Sequence, residues 1–235
     1  MKRVLIIRLS AIGDVVFASP IIEALRRTHP DAHIAWLAEP AVADLLRHHP
    51  MLDELIIWPK GEWKQLWKAR AWRELAHRIR AFVRELRQQR FDTVLDMQGL
   101  LKSAILARWS GAHRRVGLGS REGSSWLMTE TLPRGGDPAR MSSEYRFLAE
   151  HLGLDTADFR PIIHVDDATR AEVATLLLRE GLNRPYALVA PFTTRPQKHW
   201  FEDAWRDLIP RLTRELGLPV VMLGGPADRA AADRI

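Results

Sequence analysis

The sequence predicts an α/β fold with parallel sheets, and three observations carry that expectation. Short apolar runs of strand length alternate with segments of helical spacing over residues 4–152. A second alternation of the same kind starts after Arg184-Pro185. The first apolar run passes through a turn of Ser10, Gly13 and Asp14 directly into a helical pattern. Alternating strands and helices form βαβ units, which give a parallel sheet covered on both faces, with ligands beyond the carboxyl ends of the strands.

The elements follow in order. The unbroken run Val4, Leu5, Ile6, Ile7 predicts a strand over 4–9. Pro20 suits the first turn of a helix over 20–28, because its missing N–H is unpaired there anyway, and Ala18, Ile21, Ile22 and Leu25 share one face. Further strands are expected at 33–38, 55–58, 93–96 and 115–117, with helices at 41–48, 71–89, 103–109 and 142–152. In the 71–89 helix, Leu75, Ile79, Phe82 and Leu86 recur three or four residues apart, the spacing of one buried stripe. Polarity rises over 154–167, where Pro161 interrupts the pattern, and a helix over 168–180 ends at Gly181, a common helix terminator. Strand 186–190, a polar loop, helix 201–215, strand 220–223 and Gly224-Gly225-Pro226 complete the chain. The expected organisation is a Rossmann-like domain over 1–165, a linker and connecting helix over 166–184, and the start of a second Rossmann-like domain over 185–235. That last piece is too short for a closed core, so about 100 further residues are expected downstream by ordinary domain size.

Composition limits the function. No segment approaches the roughly 20 apolar residues of a membrane span, and Met1-Lys2-Arg3 leads into a strand rather than a signal peptide. There are no cysteines, which excludes disulfides and thiolate chemistry and fits the cytosol. The net charge of +6 is concentrated: residues 60–90 hold ten Lys or Arg against three Glu, an excess larger than that of the whole chain.

The turn after the first strand is the richest stretch. Backbone N–H groups and the helix dipole there favour an anion, phosphate above all. Asp14 stands at the same place, as a base beside a phosphorylated leaving group or as a cap on the following helix. Asp96-Met97-Gln98-Gly99 and the 117–123 loop lie at other strand ends, where one crevice can gather them. In 60–90, Lys60, Lys64 and Lys68 recur every four residues, with Trp58, Trp63, Trp67 and Trp72 among them.

Three stretches together resemble the lipopolysaccharide heptosyltransferases of glycosyltransferase family 9. They are Ser10-Ala11-Ile12-Gly13-Asp14-Val15-Val16 with Pro20, then Asp96-Met97-Gln98-Gly99-Leu100-Leu101-Lys102-Ser103, and Thr193-Thr194 followed by Lys198-His199-Trp200. The Gln98-Gly99-Leu100-x-Lys102-Ser103 run is nearer to heptosyltransferase I than to II. The resemblance implies a two-domain GT-B enzyme, inverting, without an obligatory metal or cofactor, that moves heptose from ADP-heptose to a Kdo sugar of the lipopolysaccharide inner core. It implies Asp14 as catalytic base and Lys198 as the cation offsetting charge on departing ADP. Ser10, Gly13, Thr193, Thr194 and Lys198 would hold the donor diphosphate, and Gly224 and Gly225 would approach its nucleoside. The family's C-terminal Asp-Ser/Thr-Gly-x-x-His motif has no counterpart here. Met141 stands where a histidine is frequent, and Arg8 where lysine is.

Lys60, Trp63, Lys64, Gln98 and Arg121 are the expected acceptor contacts, since a phosphorylated, acidic lipid on the cytoplasmic face of the inner membrane suits cations beside interfacial aromatics. For Arg78, Arg80, Arg84 and Arg87 a solvated helix face is the better reading. A monomer without nucleic-acid partners is expected. The alternative is a binding module for nucleic acid or an anionic surface using the tryptophan-rich stretch, against which stand the confinement of the basic excess and the carboxylates at the crevice. A nicotinamide-dependent oxidoreductase is disfavoured because Glu122 occupies the third glycine position of G-x-G-x-x-G in 117–122.

Overall fold

The computed structural model describes residues 1–193 and 195–235. Two compact units partition the chain, Met1–Val165 and Asp166–Ile235.

The N-terminal unit is one six-stranded sheet. Its strands are β1 (Arg3–Ile7), β2 (His33–Ala38), β3 (Glu54–Ile57), β4 (Thr93–Asp96), β5 (Arg114–Leu118) and β6 (Glu130–Leu132), in the order β3-β2-β1-β4-β5-β6. All neighbouring pairs are parallel. The order reverses between β1 and β4, the topological switch point at which open α/β sheets bind ligands. Around the sheet lie α1 (Ile12–Ala18), α2 (Pro20–Thr28), α3 (Lys60–Lys68), α4 (Trp72–Gln88), α5 (Leu101–Trp109) and α6 (Ser143–His151).

The period of two in β1 divides the core. Val4 and Ile6 join Ile34, Trp36 and the α2 residues Ile21, Ile22 and Leu25 on one face. Leu5 and Ile7 join Leu37, Val94 and the helix residues Phe82, Leu86 and Leu106 on the other. A strand buried on both faces reads as a continuous apolar run, which is why β1 was plain in the sequence.

Differences from expectation have local causes. The ladder of β1 stops at Ile7, and Arg8 and Leu9 leave it. A separate helix, α1, precedes α2, because Pro20 has no N–H to continue the first, and the Ser19 hydroxyl instead donates to Val16 O at 2.9 Å. The 41–48 segment is a 3₁₀ helix over Pro40–Leu45, with N–H bonds reaching back three residues, as from Val42 to Glu39 at 3.1 Å. The basic, tryptophan-rich stretch forms α3, and β6 is a three-residue edge strand without an apolar run to announce it.

In the second unit α7 (Asp167–Arg179), β7 (Ala187–Val189), α8 (Glu202–Leu216), β8 (Val220–Met222) and α9 (Arg229–Ala232) follow one another. β7 and β8 pair in parallel across α8, a single βαβ unit. Neither α7 nor α8 has a buried residue, and Leu178, Leu188 and Phe201 stay exposed.

Ile6 is fully buried at the centre of the sheet. Ile6→Ala is expected to cost about 2–5 kcal/mol in urea unfolding through lost transfer energy and a cavity. Ile57→Ala, on the exposed end of edge strand β3, should cost far less, and equal losses would contradict the packing described.

Candidate functional site

The carboxyl ends of β1 and β4 are joined by side chains. Arg8, only 4% exposed, follows β1. One guanidinium nitrogen lies 2.5 Å from Asp14 Oδ2 and another donates to Met97 O at 2.6 Å. Its charge also sits 5.9 Å from the centre of the Tyr145 ring, within cation–π range. From the β4 side, Gln98 Oε1 accepts the N–H groups of Leu9 at 3.0 Å and Ser10 at 3.3 Å. These bonds replace the sheet partners that Leu9 and Ser10 lose on leaving the ladder.

Asp14 lies at the third position of α1. Its carboxylate accepts the Ala11 N–H at 3.3 Å, half of a capping box, and its side chain remains one-third exposed. One carboxylate therefore caps the helix, pairs with a buried cation and faces solvent. Gly13 is exposed with open space where a side chain would stand, and Ser10 is half-buried.

Asp96 ends β4 and is fully buried. Its Oδ1 accepts the N–H groups of Gln98 at 3.0 Å and Gly99 at 3.1 Å, and Ser103 donates its hydroxyl to Oδ2 at 2.9 Å. Gly99 has φ +67°, and a Cβ there would lie 2.6 Å from Leu118 O, so both conformation and space require glycine. Arg121 N–H donates to Gly99 O at 2.9 Å, tying the 117–123 loop to the same place.

Of the expected acceptor residues, Gln98 and Arg121 thus meet at one edge of the sheet, where the Gln98 side chain also holds the N–H of Ser10, a residue of the expected diphosphate set. Lys60 pairs with Glu39 at 2.9 Å and lies 5.7 Å from the Trp58 ring centre. Glu39 N–H donates to Leu9 O at 3.0 Å, so this lysine borders the turn after β1. Trp63 is half-buried, edge-on to Trp58, Phe82 and Trp109, and packs on the second core cluster. Lys64 is exposed on α3, while Trp67 and Trp72 remain 62% and 49% exposed.

In the second unit Thr193 follows β7. Its carbonyl accepts from, or faces, His199 Nε2 at 2.6 Å, and its Oγ1 accepts the Arg195 N–H at 3.4 Å. Lys198 is exposed at the end of a 3₁₀ turn. Thr194 lies outside the described residues. Gly224 follows β8 with the Phe192 ring where its side chain would be, and Gly225 N–H donates to Asp228 Oδ2 at 2.8 Å. These two glycines, Phe192 and Asp228 line one cleft.

The Arg8–Asp14 pair and the Tyr145 contact were not legible in the sequence. Arg8 was visible only as a cation, and Tyr145 only as an unremarked position within the helix expected over 142–152.

A family model described as glycosyltransferase family 9 (heptosyltransferase) matches residues 79–235. Lipopolysaccharide heptosyltransferase 1 of Salmonella typhimurium is 29% identical over 99% of the chain and 72% of its own length. The Pseudomonas aeruginosa protein of the same name is 28% identical over 99% of the chain and 64% of its length. Among solved structures, E. coli heptosyltransferase WaaC with ADP-2-deoxy-2-fluoro heptose matches with TM-score 0.72 and 27% identity, over 99% of the chain and 72% of that structure.

Burial of Asp96 creates a pH dependence. It pushes the carboxyl up to about 6; the bonds from Gly99, Ser103 and Gln98 and the charge of Arg8 pull it down without cancelling that effect. With the folded value above the unfolded one, the protonated group favours folding: its contribution is complete below about pH 3.8 and lost as pH rises through about 6. The loss is on the order of 3 kcal/mol. Asp96→Asn, which stays neutral, is expected to gain stability relative to the parent as pH rises across that window, read by urea unfolding. Parallel stability profiles for the two proteins would contradict this.

Proposed function

The chain belongs to glycosyltransferase family 9, the heptosyltransferase family, and we propose that it transfers heptose from ADP-heptose to a Kdo sugar of the lipopolysaccharide inner core. The observation that carries the chemistry is Asp14, a partly exposed carboxylate fixed by Arg8 at the switch point of a parallel sheet. An inverting transfer needs a base on the acceptor hydroxyl, opposite the leaving group. Asp14 takes that proton as the hydroxyl oxygen attacks the anomeric carbon and ADP departs. Arg8 fixes the carboxylate in position, and the Gln98 carbonyl shapes the turn that presents it.

ADP leaves as a stable anion, so cations and N–H groups take the place of a general acid, unlike the paired carboxylates of glycoside hydrolysis. Lys198 offsets the developing charge, with Thr193 and Thr194 on the diphosphate. Gly224 and Gly225 admit the nucleoside. The relative solved with an ADP-heptose analogue supports this choice of donor.

The acceptor reading rests on α3 and α4. Lys60 beside the turn after β1, exposed Lys64 and the exposed pair Trp67 and Trp72 combine cations with interfacial aromatics. Such a surface suits an anionic lipid at the cytoplasmic face of the inner membrane. Peripheral contact is the mode proposed, since among the described residues no helix is long and apolar enough to cross a membrane.

In the full-length protein, Asp14→Asn is expected to lower turnover by orders of magnitude while ADP-heptose still binds; retained turnover would end the assignment. Lys64→Glu, and Lys60→Gln where a glutamate would face Glu39, are expected to raise the apparent KM for the lipid acceptor several-fold with donor affinity unchanged. Equal effects on donor and acceptor would remove the acceptor role.

A further inference from the structure

We propose that Glu23, His49 and His164 form a binding site for a divalent cation of the zinc type, which ties the end of the N-terminal unit to its core. Each residue offers one ligand atom, and these atoms lie within 4.8 Å of one another. Zinc bonds of about 2.0–2.1 Å place tetrahedral ligand atoms roughly 3.3 Å apart, so small side-chain rotations close the site. Glu23 and His49 are 8% and 5% exposed, and the rings of His49 and His164 meet edge-on with centroids 4.6 Å apart.

The polar atoms here are poorly used without an ion. His164 Nε2 is buried and has no hydrogen-bond partner among the described residues, a costly condition for a ring nitrogen. The Met51 N–H reaches His49 Nδ1 at 3.3 Å, long for such a bond and cheaply given up. Arg27 approaches Glu23 only to 3.7 Å, while its other nitrogens are held by Asp155 and the carbonyl of Asp158. Glu23 is thus a buried carboxylate in search of a stronger cation.

Two imidazoles and one carboxylate are a zinc donor set, with water completing the tetrahedron. The ligands come from three separate segments: α2, the turn after the 3₁₀ helix, and the residue before Val165, where the unit ends. An ion bound there cross-links the final stretch of the unit to a core helix. Its role is structural, and it does not depend on the transfer chemistry proposed above.

The test uses untagged full-length protein, stripped with chelator and titrated calorimetrically with zinc chloride alone. One equivalent is expected to bind, cobalt chloride should give the visible bands of tetrahedral coordination, and zinc should slow hydrogen exchange over residues 159–165. His164→Gln and Glu23→Gln should each weaken zinc binding at least about tenfold, with unchanged circular dichroism in the metal-free state. Should either variant fail to fold, the exchange and cobalt measurements on the unaltered protein decide. Absence of one-equivalent binding, or equal affinity in folded variants (an ion held by others of the nine histidines), overturns the site.

Discussion

Burying the Arg8 guanidinium is the constraint on which the functional edge of the N-terminal unit depends. A cation 4% exposed is tolerable only with acceptors around it. Asp14, Met97 O and the Tyr145 face provide them. Each comes from a different part of the chain: the helix after β1, the loop after β4, and α6. Partnering the two terminal nitrogens of this guanidinium, whose Nε is buried without a hydrogen-bond partner among the described residues, therefore positions three segments, and removing either member of the Arg8–Asp14 pair leaves a charge without its partner.

The second buried charge, Asp96, does for the β4 end what Arg8 does for β1. It gathers two backbone N–H groups and the Ser103 hydroxyl, forming the tight turn that carries Gln98 and Gly99. Gln98 then reaches back to the N–H groups of Leu9 and Ser10. The two strand ends are held together by side chains because the ladder has ended there and the backbone groups still require partners. A stiff frame at this edge suits the proposed role of Asp14, since a catalytic base has to meet a hydroxyl within hydrogen-bond reach.

The basic stretch shows how one helix divides its duties. Trp63 faces the core among Phe82, Trp58 and Trp109, while Lys64 and Trp67 face outward. A spacing of four residues places Lys60 and Lys64 on one side of α3, and Lys60 leans back to Glu39 beside the turn after β1. The surface and the candidate site are therefore contiguous through Glu39, which also has Lys102 at 3.7 Å.

By itself, the sequence determined the alternation of strands and helices, the parallel sheet and the strand-end position of Asp14 and Asp96. Those features are set by local periodicity, by turn chemistry and by apolar runs buried on two faces, all of which are written in consecutive residues. The motifs around Asp14, Gln98 and Lys198 also marked the family, which the similarity of the chain to known heptosyltransferases shows. Helix endings were less legible: one proline divided α1 from α2, and a short polar strand, β6, had no pattern to read. Tertiary structure alone decided that Arg8 pairs with Asp14, that Gln98 braces the first turn, that Trp63 packs inward, and that Glu23, His49 and His164 converge. Each of these joins residues that lie apart in the chain or on elements whose rotation is fixed only when the sheet is packed, and no local pattern encodes such meetings.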